Sequence, residues 1–133
     1  MLYLDSNIFI YAAIDNGGMG EKARTLLRKV QQGEEEASSS ALTFDELVLA
    51  VKKYRSMDDA INVGEAFLNF PNIKIVAVDD ELLVQALNII KKYKLDPRDA
   101  IHAATAILKK AEAIVTTDPQ FDKVKEIKRK PLK

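Results

Sequence analysis

Apolar positions recur along the chain with two different periods, and each change of period marks a change of element. Leu2-Tyr3-Leu4 is a short apolar run that stops at Asp5, and the mixed segment 6–13 behind it has helical spacing, so a strand and then a helix are expected. Asp15-Asn16-Gly17-Gly18 punctuates a loop, after which Ala23, Leu26, Leu27 and Val30 share one helical face that ends near Gly33. Residues 37–42 are small and uncharged and read as a buried strand; Thr43 then opens a helix with Leu47, Val48 and Val51 inside. A further helix covers 57–69 and stops before Pro71. The run 73–78 is rich in β-branched residues and partly alternating, which makes it the clearest strand pattern in the chain. Asp79 starts the next helix, whose buried face is expected to hold Leu82, Leu83, Ala86, Leu87, Ile90 and Tyr93. Asp96-Pro97 starts another, carrying Ala100, Ala103, Ala104, Ile107 and Leu108. Residues 113–116 read as a strand, Asp118-Pro119 as the start of a short helical turn, Ile127 as part of a last edge strand, and 128–133 as a mobile basic tail.

Strands separated by helices make βαβ units, and such units pack as a parallel sheet covered on both faces. The expected fold is therefore α/β: a three-layer α/β/α domain spanning 1–133, with a parallel sheet of about four to five strands. No repeat, low-complexity segment or linker divides the chain. The main departure from simple alternation is the extra helix between the second and third strands.

Composition narrows the chemistry more than the fold. Hydrophobic residues are 47% and charged residues 30%, the balance of an ordinary folded domain. Cysteine is absent, so disulfides, thiolate catalysis and Cys-ligated zinc or iron–sulfur sites are excluded, and a metal must sit on oxygen or on the single histidine, His102. The 20 basic and 20 acidic residues cancel, so no global field draws nucleic acid to the chain and local patches, such as Lys123, Lys125, Lys128, Arg129 and Lys130, must do so. Residues 1–14 carry Asp5 and Asn7 and no basic leader, unlike an export signal, and no run has the apolar length to span a bilayer; a cytoplasmic protein is expected.

Candidate chemistry lies in the carboxylates. Asp5 and Asp118 follow strands, and Glu46 and Asp99 lie one turn into helices, which puts them toward the carboxyl edge of the sheet where ligand crevices open. Each has a plain structural reading. Thr43 to Glu46 fits a capping box, Asp96-Pro97-Arg98-Asp99 fits an N-cap followed by proline, and Asp118-Pro119 fits the same scheme. Taken together they call for something else, because crowded carboxylates repel one another unless a cation holds them. With only oxygen ligands, Mg²⁺ or Mn²⁺ is the natural choice, and such a site suits attack of water on a phosphodiester. His102, one turn beyond Asp99, reads as packed and hydrogen-bonded in an alanine-rich helix rather than catalytic.

Four segments carry a family resemblance: Leu4-Asp5-Ser6-Asn7-Ile8-Phe9, Glu46 early in its helix, Asp99-Ala100-Ile101-His102-Ala103-Ala104-Thr105-Ala106, and Thr116-Thr117-Asp118-Pro119-Gln120-Phe121. In this order and spacing they resemble the PIN-domain nucleases, in particular the VapC-like toxins. The resemblance implies a metal-dependent ribonuclease using Mg²⁺ or Mn²⁺, with Asp5, Glu46, Asp99 and Asp118 as the catalytic acids, Asp5, Asp99 and Asp118 on the metal, and Ser6, Asn7 and Thr117 as polar neighbours. Asp122, four residues past Asp118, is expected by its spacing on a helical turn to support the metal through water. It also implies an RNA substrate, a homodimer and a small antitoxin partner. The chain departs from many relatives at its last motif, where Gln120 precedes Phe121 and Asp122 follows it. Two alternatives stand beside this reading: a PIN-like module that binds RNA or protein without cutting, and a receiver-type signalling domain with Asp79 as phosphoacceptor.

Overall fold

The computed structural model describes residues 1–132. Five parallel strands, β1 (Leu2–Leu4), β2 (Ala37–Ser40), β3 (Ile73–Val76), β4 (Ala113–Val115) and β5 (Arg129–Lys130), lie in the order β3-β2-β1-β4-β5. Six helices connect them: α1 (Ser6–Ile14), α2 (Gly18–Gln31), α3 (Ala41–Tyr54), α4 (Met57–Leu68), α5 (Asp80–Tyr93) and α6 (Pro97–Leu108). A short 3₁₀ turn covers Pro119–Lys123. None of the described helices is long and apolar enough to cross a membrane.

Alternation along β1 and β4 separates two cores. Leu2, Leu4, Ala113 and Val115 face Ile8, Phe9, Leu27, Leu47, Val51 and Phe67 of α1 to α4. Tyr3 and Ile114 face Leu82, Ala86, Ile89, Ala100, Ala103 and Phe121 on the other side. The three-layer α/β/α fold expected from the pattern of strands and helices is the one observed.

The differences are local. Residues 37–42 form a strand only as far as Ser40, whose hydroxyl accepts from the Leu42 N–H and starts α3 three residues before the expected Thr43. The capping box at Thr43 therefore does not exist: Thr43 is buried inside the helix and its hydroxyl pairs with Ser39, which also donates to the Leu4 carbonyl. The strand expected over 73–78 ends at Val76 and is an edge strand. On α5 the sheet selects Leu82, Ala86 and Ile89, leaving Leu83 and Leu87 about 100° round the helix and exposed; Leu108 on α6 is exposed too. Asp79 caps α5 by accepting from Leu82 N–H. Near the end of the chain, Ile127 is a core residue, and Arg129–Lys130, expected in a mobile tail, form β5 against β4, with Leu132 buried beyond them. Lys133 lies outside the described residues.

Candidate active site

Because the chain builds outward from β1 to β3 and then returns to β4, the connections leave the sheet in opposite directions between β1 and β4. A crevice opens outside the carboxyl ends of the strands at such a switch point. Asp5 follows β1, and Thr116, Thr117 and Asp118 follow β4, with Leu4 in register with Val115.

Asp5 is 5% exposed, so its charge needs partners. Its Oδ1 accepts from Ser6 N–H at 2.8 Å and its Oδ2 from the Thr116 hydroxyl at 2.8 Å. Thr116 Oγ1 in turn accepts from Asp118 N–H at 3.1 Å and from Asn7 Nδ2 at 3.3 Å, while Asn7 Nδ2 also donates to Thr117 Oγ1 at 3.0 Å. Asn7 Oδ1 is buried with no partner among the described residues. Burial raises the Asp5 carboxyl above its usual range, against the opposing pull of His102, Thr116 and Ser6.

Glu46 reaches the same edge from the second turn of α3. Its Oε1 lies 2.6 Å from His102 Nε2, and the other ring nitrogen, Nδ1, lies 2.6 Å from the Tyr3 hydroxyl. His102 Nε2 is also 3.6 Å from Asp5 Oδ1. Burial disfavours the imidazolium, yet the hydrogen bond to Glu46 and the charges of Asp5, Glu46 and Asp99 outweigh it, so the net shift is upward.

Asp99 stands in the first turn of α6, where Pro97 fits the first helical position and Asp96 takes the N-cap place without a side-chain cap bond. Its carboxyl is raised to about 6, first by burial and then by the charges of Asp118 and Asp5. Asp118 caps the 3₁₀ turn through Oδ1, which accepts from Gln120 N–H at 2.9 Å. Glu46, Asp96, Pro97, Arg98 and Asp99 line an open cavity of about 570 Å³. A smaller cavity of about 110 Å³ between α5 and α6 has a single carboxylate in its lining, Glu126, which is bonded to Tyr93 and paired with Lys92.

The structure thus brings Asp5, Glu46, Asp99 and Asp118 to one edge, with Ser6, Asn7 and Thr117 around them. Asp122 goes elsewhere: it is exposed, and both its oxygens accept from Arg129, at 2.8 and 3.1 Å, which holds its carboxyl below the usual range. Among the described residues, no three acids or histidines are already drawn together tightly enough to form a metal cage. Sequence reasoning missed Tyr3 and Thr116 and left His102 without a partner in the site. The available signal was a tyrosine in a three-residue buried strand, since a buried phenol requires a hydrogen-bond partner, together with the single histidine on an alanine-rich helix.

Comparison with known proteins agrees with the fold. VapBC2 from Rickettsia felis, in a structure bound to a DNA fragment from its promoter, superposes with a TM-score of 0.78 at 17% identity, covering 100% of each chain. VapC20 from Mycobacterium tuberculosis, described as a sarcin-ricin-loop-cleaving toxin, gives a TM-score of 0.77 at 12% identity over 92% of this chain and 93% of its own. A toxin-antitoxin complex from Klebsiella pneumoniae gives 0.69 at 21% identity over 96% and 95%. No curated protein matches the chain by sequence. The sequence model of the PIN domain matches residues 2–127, nearly the whole chain, and the chain belongs to the PIN domain family.

Proposed function

We propose that the chain is a divalent-metal-dependent ribonuclease, the toxin of a toxin-antitoxin pair. The observation that supports this most is the convergence of Asp5, Glu46, Asp99 and Asp118 on one edge of the sheet, beside an open cavity that Glu46 and Asp99 line; burial and the charges of Asp118 and Asp5 raise the Asp99 carboxyl there, against the pull of His102. The acids supply oxygen donors, which suit Mg²⁺ or Mn²⁺, ions that keep several waters and take only a few carboxylates directly. Asp5, Asp99 and Asp118 would hold it. When bound, the cation supplies Lewis acidity toward a phosphodiester and toward the attacking water.

The chain's own residues prepare the rest. Ser6 N–H and Thr116 fix both Asp5 oxygens, so Asp5 cannot turn away from the crevice. Glu46, held at Oε1, offers its second oxygen to orient the attacking water beside Asp99. Arg98, in the same cavity, offers a cation to an adjoining phosphate of the RNA. An antitoxin partner would block this edge with Arg or Lys, whose charge replaces that of the metal, and the exposed apolar residues Leu83, Val84 and Leu87 of α5 suit a homodimer away from it. The test is RNA cleavage by the purified, partner-free chain. Activity should vanish in a chelator, return with Mn²⁺, and be absent from Asp5→Asn; a folded chain that cuts nothing with either metal would favour a binding module instead.

A further inference from the structure

Two fully buried polar side chains at the acid edge, Tyr3 and His102, are not used by the proposed reaction. Yet they end in a carboxylate that lines the cavity. Three contacts in a row connect them: Tyr3 hydroxyl to His102 Nδ1 at 2.6 Å, His102 Nε2 to Glu46 Oε1 at 2.6 Å, and the same Nε2 to Asp5 Oδ1 at 3.6 Å. A ring nitrogen facing two carboxylates must carry a proton, because a bare nitrogen there would set lone pair against lone pair. The phenol closes the other nitrogen. Glu46 comes from α3 on one face of the sheet, whereas His102 comes from α6 on the other, and Tyr3 from the central strand between them.

We propose that Tyr3 and His102 are a buried positioning pair that locks the Glu46 carboxylate, with His102 Nε2–H on Oε1 and the second Glu46 oxygen left for water in the cavity. A glutamate has three rotatable side-chain bonds, and only one of its oxygens has a partner among the described residues. The imidazole selects one rotamer and one face of the carboxyl group. Tyr3 keeps the ring from rotating, because a flipped ring would turn carbon toward both the phenol and the carboxylate. The pair touches neither substrate nor cation; it acts through Glu46, as supporting residues around catalytic groups do. The inference rests on the ribonuclease reading for its kinetic consequence, but not for its geometry.

The test has two arms. The chain contains a single histidine, so one nitrogen-detected NMR experiment on the labelled protein reads both ring nitrogens without assignment. Nε2 protonated is the expected result; Nε2 bare with the proton on Nδ1 overturns the proposal. In the kinetic arm, Tyr3→Phe keeps the packing and removes only the hydroxyl, and should lower kcat about 5-fold with KM little changed. His102→Asn, too short to reach Glu46, should cost about 100-fold in kcat, and His102→Gln, which can place an amide N–H near the lost Nε2, should recover much of it. Loss of thermal stability in Tyr3→Phe and His102→Asn with kcat per folded molecule unchanged would overturn the positioning role. If the wild-type chain cuts no RNA, the ribonuclease reading fails and the nitrogen spectrum alone decides the pairing.

Discussion

The acid edge has an inner half and an outer half, and the two are built on different principles. On the inner side, Asp5 has a donor on each oxygen and Glu46 is bonded to a buried imidazole, which is itself bonded to a buried phenol. On the outer side, Asp99 has no hydrogen-bond donor among the described residues, and its neighbours Asp118 and Asp5 repel it. The inner half is fixed by protein donors and needs nothing more to stay in place. The outer half is short of positive charge, and that shortage is what a cation or a basic side chain of a partner would supply.

The largest effect expected is that of Asp5→Asn, which joins the two halves. It should lower RNA cleavage by about 100-fold or more, since it removes a charge facing the substrate while the amide can still take the Ser6 donor. Thermal stability should hold or rise, because one buried charge is gone; a cleavage rate equal to wild type would remove Asp5 from the machinery. Next comes the contrast between Asp118→Asn and Asp122→Asn. The first should lower kcat strongly at saturating Mg²⁺. The second breaks only an exposed pair with Arg129 and should leave the metal concentration for half-maximal activity unchanged, with at most a small drop in Tm. A larger kcat loss for Asp122→Asn would move the outer half of the site.

A pH series sharpens the same comparison with a smaller effect. Asp99 has a folded-state pKa of about 6, above its usual value of 3.8, so the folded chain binds more protons than the unfolded one between those values. Its contribution to apo stability is therefore fully present below about pH 4 and lost as pH rises through 6. Adding Mn²⁺ should reverse the loss, and the Tm gain on adding Mn²⁺ should be larger at pH 7.5 than at pH 5. A gain that is independent of pH, or that is kept in Asp99→Asn, would separate the stabilisation from this carboxyl.

The layers of the fold were legible because hydrophobic period fixes element type, and β1 and β4 are short and alternate cleanly between two cores. The start of α3 was not, because the run Ser38-Ser39-Ser40 has three residues able to cap and only packing decides that Ser40 does so. β5 was hidden by its composition, one arginine and one lysine: an edge strand of two residues has no room for an apolar pattern. At the site, strand ends located Asp5 and Asp118 and the Asp96-Pro97 helix start located Asp99, since these are local signals; Glu46 reaches the edge from a helix that starts earlier than its sequence suggested. What joins them was not local. The Thr116–Asp5 bond spans 111 positions and the Tyr3–His102 contact 99, and nothing in either segment names its partner. Asp122 was placed beside the metal by its spacing from Asp118, but the return of the chain into β5 brings Arg129 to it instead.

The shortage of charge in the outer half is tested most directly by measuring Mn²⁺ binding to the apo chain, without substrate, by the loss of the free-ion electron paramagnetic resonance signal at neutral pH. The account predicts a site that Mg²⁺ competes for, that is weakened or lost in Asp99→Asn, and that survives in Asp122→Asn. No binding by the wild-type chain, or binding that Asp99→Asn leaves intact, would contradict it.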